Sequence, residues 1–328
     1  MTTEIITISE AIAMYVDSVK LARSENTART YSNAMKAFTA VLEEEGLDAE
    51  ESAIEVLEED SVVWFANALK SYAPATEQLY LTSLAGFFEF LAGERITDPN
   101  LPRVRLLIRQ RGRRPGPRLP QFPRESIEEV LSYADGLQKA TSSDTSERLR
   151  NLRDRAFLST LADTGLRVHE ACGLRRGDVD WDEGKALVIG KGNRQAVARF
   201  SSQALRALKD YLTARGELDG NSGRPLASLP LFARHDRGAG TKVKVISTTT
   251  GRNIVAQRVR ESLGEQAVGS ITPHSFRHYF VTTVLRASGG NLKLAQELAR
   301  HKNIQVTQRY AHLSDDELDR GYFEVFEK

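Results

Sequence analysis

The 328 residues carry 45 basic and 44 acidic side chains, 41% hydrophobic residues and ten prolines, an ordinary globular composition on a chain too long for one typical domain. A core of that size needs no disulfide or metal to hold it, and the one cysteine, Cys172, excludes an internal disulfide altogether. The N-terminus lacks the basic and apolar regions of a secretion signal, and the most apolar stretch, LTSLAGFFEFLAG at 81–93, carries Glu89 and is shorter than the roughly 20 residues a bilayer span requires, so the chain is expected to be cytoplasmic with no membrane segment.

Residues 1–95 read as four helices. Apolar positions recur at three and four in Ile12, Val16 and Val19, and in Tyr31, Met35, Phe38 and Leu42. They recur again in Val62, Phe65 and Leu69, and in Leu81, Leu84, Phe88 and Leu91. Residues 96–120 follow as an interdomain linker. Arg103, Arg105, Arg109, Arg111, Arg113, Arg114 and Arg118 fall within it, and Gly112, Pro115, Gly116 and Pro117 argue for an extended strap rather than a helix. In residues 121–328, Pro123 opens a helix through Leu131, a polar loop crosses 135–148, and Leu152–Thr164 is a helix stopped by Gly165. A short helix covers Arg167–Cys172. KALVIG and QAVARF then form a hairpin with a basic tip at Lys191 and Arg194. After a helix from Ser202, residues 216–250 read as loops with a second ribbon at TKVKVIS, followed by helices at 251–262, 273–287, 291–300 and 303–311. A last helix, 314–328, starts with a Ser314/Glu317 capping box and has an apolar stripe of Leu318, Tyr322, Val325 and Phe326.

Net charge +1 conceals an uneven distribution. Residues 1–95 hold 6 bases and 17 acids, 96–120 hold 7 and 1, and 121–328 hold 32 and 26. Ten of the N-terminal acids lie between Glu43 and Asp60, read as a solvated edge between helices. The seven linker arginines suit a strap that tracks phosphates.

Most familiar sites are absent. GDVDWDEGK has neither the spacing of a phosphate-binding loop nor the Gly and Glu of an EF-hand, and reads as a surface turn. No GxSxG elbow occurs, and Cys172 beside His169 reads as a core residue. His274 and His278 sit one turn apart, yet Arg277 lies between them and no Glu follows, so no metal site is expected. What remains is a set of cations and a phenol: Arg167, Lys191, His274, Arg277, His301 and Tyr310. Two guanidiniums can hold non-bridging phosphate oxygens, a lysine can protonate a leaving alkoxide, imidazoles can move protons, and a phenol can attack.

TGLRVHE with Arg167 and Glu170, GKGNR with Lys191, HSFRH with His274 and Arg277, and RHKNIQVTQRY with His301 and Tyr310 together resemble, in order and spacing, the tyrosine recombinases or phage-type integrases. The resemblance covers the whole chain. It implies a mainly α fold with a small β-sheet (α+β): a helical core-type DNA-binding domain at 1–95 and a catalytic domain at 121–328, together a C-shaped clamp on DNA. It assigns Tyr310 as nucleophile, Arg167, Lys191, His274, Arg277 and His301 as catalytic, and Glu170 as supporting. Neither cofactor nor metal is implied. The implied partners are double-stranded DNA with inverted-repeat core sites and three further copies of the chain, joined by exchange of helix 314–328, with a second recombinase or an accessory factor also open. Without an added N-terminal arm-binding domain the chain is similar to compact Xer-like members, and dimer resolution and mobile-element integration remain alternatives. A type IB topoisomerase or a catalytically idle DNA-binding protein are the rival readings. Tyr279 is expected to pack and Tyr322 to dock. Two positions depart from the family pattern: Phe276 stands where Leu is common, and Arg300 where Gly commonly precedes the histidine.

Overall fold

The computed structural model describes residues 5–113, 123–139, 144–190, 194–236, 238–240 and 242–310. The chain divides into two compact units, Met1–Arg118 and Leu119–Lys328.

In the first unit α1 (Ile8–Ala22), α2 (Glu25–Glu44), α3 (Ser61–Ala68) and α4 (Pro74–Gly93) are the four expected helices. Thr7 and Glu10 close a capping box on α1, and Ser24 caps α2. Met35, Phe38, Val62, Phe65, Leu84, Phe87 and Phe88 fill the core, with Phe38 edge-on to Phe65 at 5.3 Å.

The extended strap expected over 96–120 is corrected here. Leu101–Arg111 is a fifth helix, α5, capped by Asn100 with Pro102 in its first turn, and it packs on α3 and α4. Among its arginines, Leu101, Val104, Leu107 and Ile108 form an apolar stripe that the charge count obscured, and Val104 is fully buried. The glycine and proline breaks begin only at Gly112, after the helix has ended.

Arginines read as phosphate contacts are partly committed inside this unit. Arg103 pairs with Asp60 at 2.8 Å and Arg105 with Glu89 at 2.7 Å. Arg113 meets the wholly buried Glu77, which also holds Lys70 at 2.6 Å. Arg109 and Arg111 are exposed, while Arg114 and Arg118 lie outside the described residues.

The second unit is built around α7 (Thr145–Thr164), with α6 (Arg124–Gly136) before it. The polar loop expected over 135–148 is shorter than the sequence suggested, because Asp144 caps α7 by accepting from the Ser146 N–H and starts the helix two turns before Leu152. Then come α8 (Val168–Gly173), β1 (Val179–Asp180), β2 (Lys185–Gly190), β3 (Arg194–Arg199), α9 (Ser202–Ala214), α10 (Gly216–Gly220), α11 (Thr248–Leu263), α12 (Pro273–Ala287), α13 (Leu292–Ala299) and α14 (Ile304–Gln308). The three strands form one antiparallel sheet in the order β1, β2, β3, with Ala186 opposite Ala198 and Val188 opposite Ala196.

The second ribbon expected at TKVKVIS does not form among the described residues. A single bridge joins Ala233 to Val245, because Val243 and Ile246 turn inward as isolated core anchors instead of alternating along a strand. GDVDWDEGK supplies β1 and the turn of residues 181–184 that leads into β2, where the Asp180 carboxylate accepts from the Asp182 and Glu183 N–H groups. Cys172 is buried in the main core, and burial pushes its thiol up to about 12.

Glu77 is the buried acid that fastens the end of α5 to the bundle. Replacing it with Ala strands Lys70 and Arg113, both of which reach water. The loss expected in urea denaturation is about 2 kcal/mol, the size of charged hydrogen bonds lost without burying a new charge.

Candidate active site

Four helix ends converge to build the site. α7 stops at Gly165, whose φ of +58° suits glycine, and a Cβ there would lie 2.4 Å from the Phe280 ring. The chain turns at once into α8 with Arg167 as the residue before the helix. Glu170, three residues on, accepts from the Arg167 N–H at 2.8 Å and from its guanidinium at 2.9 Å. Glu170 is buried while Arg167 is exposed, so the carboxylate aims the cation from beneath. Burial opposes its charge, but the Arg167 backbone and side-chain hydrogen bonds outweigh that and hold its carboxyl below the usual carboxylate range.

Thr272 and Ser275 cap α12, with Pro273 in its first turn, and the helix presents His274, Arg277 and His278 within one turn of one another. Arg277 is buried. Its Nη1 donates to the Gly165 carbonyl and its Nη2 to the Ala299 carbonyl, so it joins the C-terminal ends of α7 and α13. Desolvation, then the charges of Arg167 and Arg300, bring its guanidinium down to about 10, still a cation at neutral pH.

The end of α13 delivers His301. The Arg300 N–H bonds to the Glu297 carbonyl and the His301 N–H to the Gln296 carbonyl, a left-handed helix termination with Arg300 at φ +58°. The buried His301 pairs Nδ1 with the Thr307 hydroxyl of α14 at 2.9 Å, which leaves Nε2 for a ligand. Desolvation, Arg277 and Arg167 hold it down at about 4. His274 keeps an exposed face, and the protein around it together with Arg277 and Arg167 lowers its pKa as well.

Tyr310 follows α14 and is half-buried against Val281, Leu285, Ala295 and Ala299. Its ring stacks on His301 with centroids 6.4 Å apart and 15° between planes. Burial raises its pKa above the ordinary phenol value despite Arg277 and Arg309, so the hydroxyl holds its proton at neutral pH.

The structure thus brings together Arg167, Glu170, His274, Arg277, His301 and Tyr310 of the residues read from the sequence. Lys191 lies outside the described residues; Arg194 opens β3. Tyr279 packs against the main core as expected, and Tyr322 is outside the described residues.

His278 was noticed in the sequence only as half of a rejected metal pair. In the structure its ring stands edge-on between His274, at 4.2 Å, and Tyr310, at 4.9 Å. Its Nε2 is buried with no hydrogen-bond partner among the described residues, and desolvation with His274 and Arg277 brings it down to about 4. The i, i+4 spacing was the visible signal, and it brings the His274 and His278 rings into contact. No group of three or more His, Cys, Asp or Glu able to hold a metal ion occurs among the described residues.

A cleft of about 1220 Å³ opens beside these groups, lined by Arg167, Arg199, Arg300, His301 and Lys302 together with Val188, Val197 and Leu298. It places several cations and two carboxylates, Glu170 and Glu297, around one space. An anion bearing several oxygens is what such a site can hold.

These imidazoles make stability depend on pH with a definite sign. His278 and His301 sit near 4 against an unfolded value of 6.5, so between those values the unfolded chain binds more protons than the folded one. The stability of the second unit therefore falls as pH drops from 6.5 towards 4, and these two groups add no further dependence below that. Denaturant unfolding at stepped pH reads this directly; a midpoint unchanged or rising across the window contradicts it.

Residues 133–317 match the Phage integrase family. Tyrosine recombinase XerC of Pelobacter propionicus is 35% identical over 204 residues, spanning 61% of each chain. XerC of Bacillus subtilis is 28% identical over 325 residues, covering 96% of this chain and 95% of that one, and XerD of Brucella melitensis is 28% identical over 316, covering 95% of both. Among solved structures, the XerH site-specific recombinase bound to its palindromic difH substrate superposes with a TM-score of 0.68 at 18% identity, over 98% of this chain and 85% of that one. A lambda integrase dimer bound to a core site gives 0.61 at 15% identity, over 93% and 95%. At those identities the structures speak for the fold, a mainly helical chain with a small antiparallel sheet. With more than half its length matched by the family model, this chain is a member of the phage integrase family.

Proposed function

We propose that the chain is a site-specific DNA recombinase that cuts and rejoins strands through Tyr310. The observation that carries this reading is the convergence of two guanidiniums, two neutral imidazoles and a protonated phenol from four separate helix ends. The Tyr310 oxygen attacks a DNA phosphorus, forming a 3′-phosphotyrosyl bond as the bond to the 5′ oxygen breaks. Because the phosphodiester energy is kept, a 5′-hydroxyl from another duplex can reverse the step without ATP or metal. His274, held neutral, takes the phenolic proton; Lys191 returns one to the leaving 5′ oxygen. Arg167, Arg277 and His301 hold the non-bridging oxygens, whose charge grows only near the transition state, and Glu170 orients Arg167.

The substrate on this reading is double-stranded DNA with inverted-repeat core sites. Residues 1–95 take the core-type DNA-binding role, with the exposed Arg109 and Arg111 beyond them as phosphate contacts. Four copies assemble on two sites through helix 314–328 and pass through a Holliday junction, with or without a second recombinase, in the cytoplasm on the nucleoid. The XerC and XerD relatives, matched over 96% and 95% of this chain, support a compact Xer-like recombinase that serves dimer resolution or mobile-element integration. An idle DNA-binding protein or a type IB topoisomerase is not favoured, given an intact nucleophile and these relatives.

Covalent trapping tests the reading. Wild type and Tyr310→Phe are incubated with a nicked random-sequence duplex library, denatured, and the protein-linked DNA is sequenced. Adducts that depend on Tyr310 and share an inverted-repeat core are expected; adducts that persist in Tyr310→Phe, or none despite DNA binding, would refute it. On the recovered core, Arg167→Ala and Arg277→Ala should each slow adduct formation about 100- to 1000-fold.

A further inference from the structure

Arg300 is one of two non-glycine residues at positive φ among the described residues, at φ +58° and ψ +41°. For an L-residue that conformation is strained where glycine adopts it freely. Its side chain shows what offsets the cost. The largely buried guanidinium donates from Nη2 to the Thr164 carbonyl at 3.2 Å and from Nη1 to the Leu298 carbonyl at 3.2 Å, and it lies 3.9 Å from Glu170.

Arg277 makes the same connection one residue further along each helix, to Gly165 and Ala299. The last carbonyls of α7 and α13 are therefore bridged twice, by two guanidiniums from different elements. Unsatisfied carbonyls at a helix C-terminus carry partial negative charge and favour such cations. One bridged end leads directly into Arg167 and the other directly into His301. Burial of Arg300 is expensive, and desolvation lowers its pKa, with Glu170 opposing the shift and Arg167 adding to it.

We propose that Arg300 is a positioning residue, a second strut that locks the turn carrying His301 to the turn carrying Arg167 and fixes their spacing around the reacting phosphate. The idea rests on the recombinase reading for its function but not for its structure. Arg300→Gly removes the strut and at the same time relieves the left-handed backbone. A residue merely tolerated at that position gives a variant as stable as wild type or more so, with unchanged cleavage.

The strut gives the opposite result. Thermal unfolding of Arg300→Gly should fall by about 2 to 4 °C, the shift that 1 kcal/mol produces in a unit of this size. Single-turnover formation of the Tyr310–DNA adduct should slow about tenfold or more while affinity for the same duplex stays within about threefold, because misplacing groups at the phosphate affects the reaction step. Arg300→Lys, with the charge but not the fork, should recover only part of the rate, and Arg300→Met none. An unchanged or higher midpoint overturns the strut. A lower midpoint with wild-type cleavage makes Arg300 structural alone and overturns the positioning role. Should wild type form no adduct, the recombinase reading and the positioning role fall together, and the thermal comparison still decides the strut.

Discussion

Two guanidiniums set between two helix C-termini hold this site together. α7 and α13 both end in left-handed turns, at Gly165 and Arg300, and both present carbonyls that no further helical turn can satisfy. Arg277 and Arg300 supply the donors. The consequence is geometric: Arg167 begins where α7 stops, and His301 where α13 stops. Reactive groups distant in sequence therefore share a fixed frame before any ligand arrives, which is the form of preorganisation that lets fixed charges stabilise a transition state.

The same frame sets the electrostatics. The guanidiniums of Arg167, Arg277 and Arg300 crowd one carboxylate, Glu170, and desolvation together with that positive field keeps His274, His278 and His301 neutral. A neutral imidazole can accept a proton, which a charged one cannot. The phenol they surround is pushed the other way and remains protonated. The site is thus at rest with its phenol uncharged. His278 fits this logic through its shape, edge-on to both His274 and Tyr310.

Much of this was readable in the sequence, for reasons that differ by element. The first four helices carry apolar stripes at three and four, and the hairpin carries β-rich runs on either side of a glycine turn, so both patterns appear directly. Arg167, Glu170, His274, Arg277, His301 and Tyr310 were legible as a set because their order and spacing are specific, and the fold brings them together. α5 was hidden by its own arginines, which drew attention from Leu101, Val104, Leu107 and Ile108. The start of α7 was hidden for a related reason: it is a buried helix that carries Asn151, Arg153, Asp154 and Arg155, of which Asn151 and Asp154 meet Arg258 more than 100 residues away and Arg155 meets Asp135 and Asp210. Local pattern cannot reveal a polar helix made stable by distant ion pairs. Nor could it show that Arg300 occupies a left-handed turn, or that its side chain reaches Thr164.

The central claim is that a phosphate belongs inside this frame, and the structure of Tyr310→Phe bound to a nicked duplex carrying its core site tests it most directly. The account predicts a scissile phosphate with its non-bridging oxygens about 3 Å from the guanidiniums of Arg167 and Arg277 and from a ring nitrogen of His301. A phosphate bound elsewhere, with these three groups still paired only to protein, would contradict it.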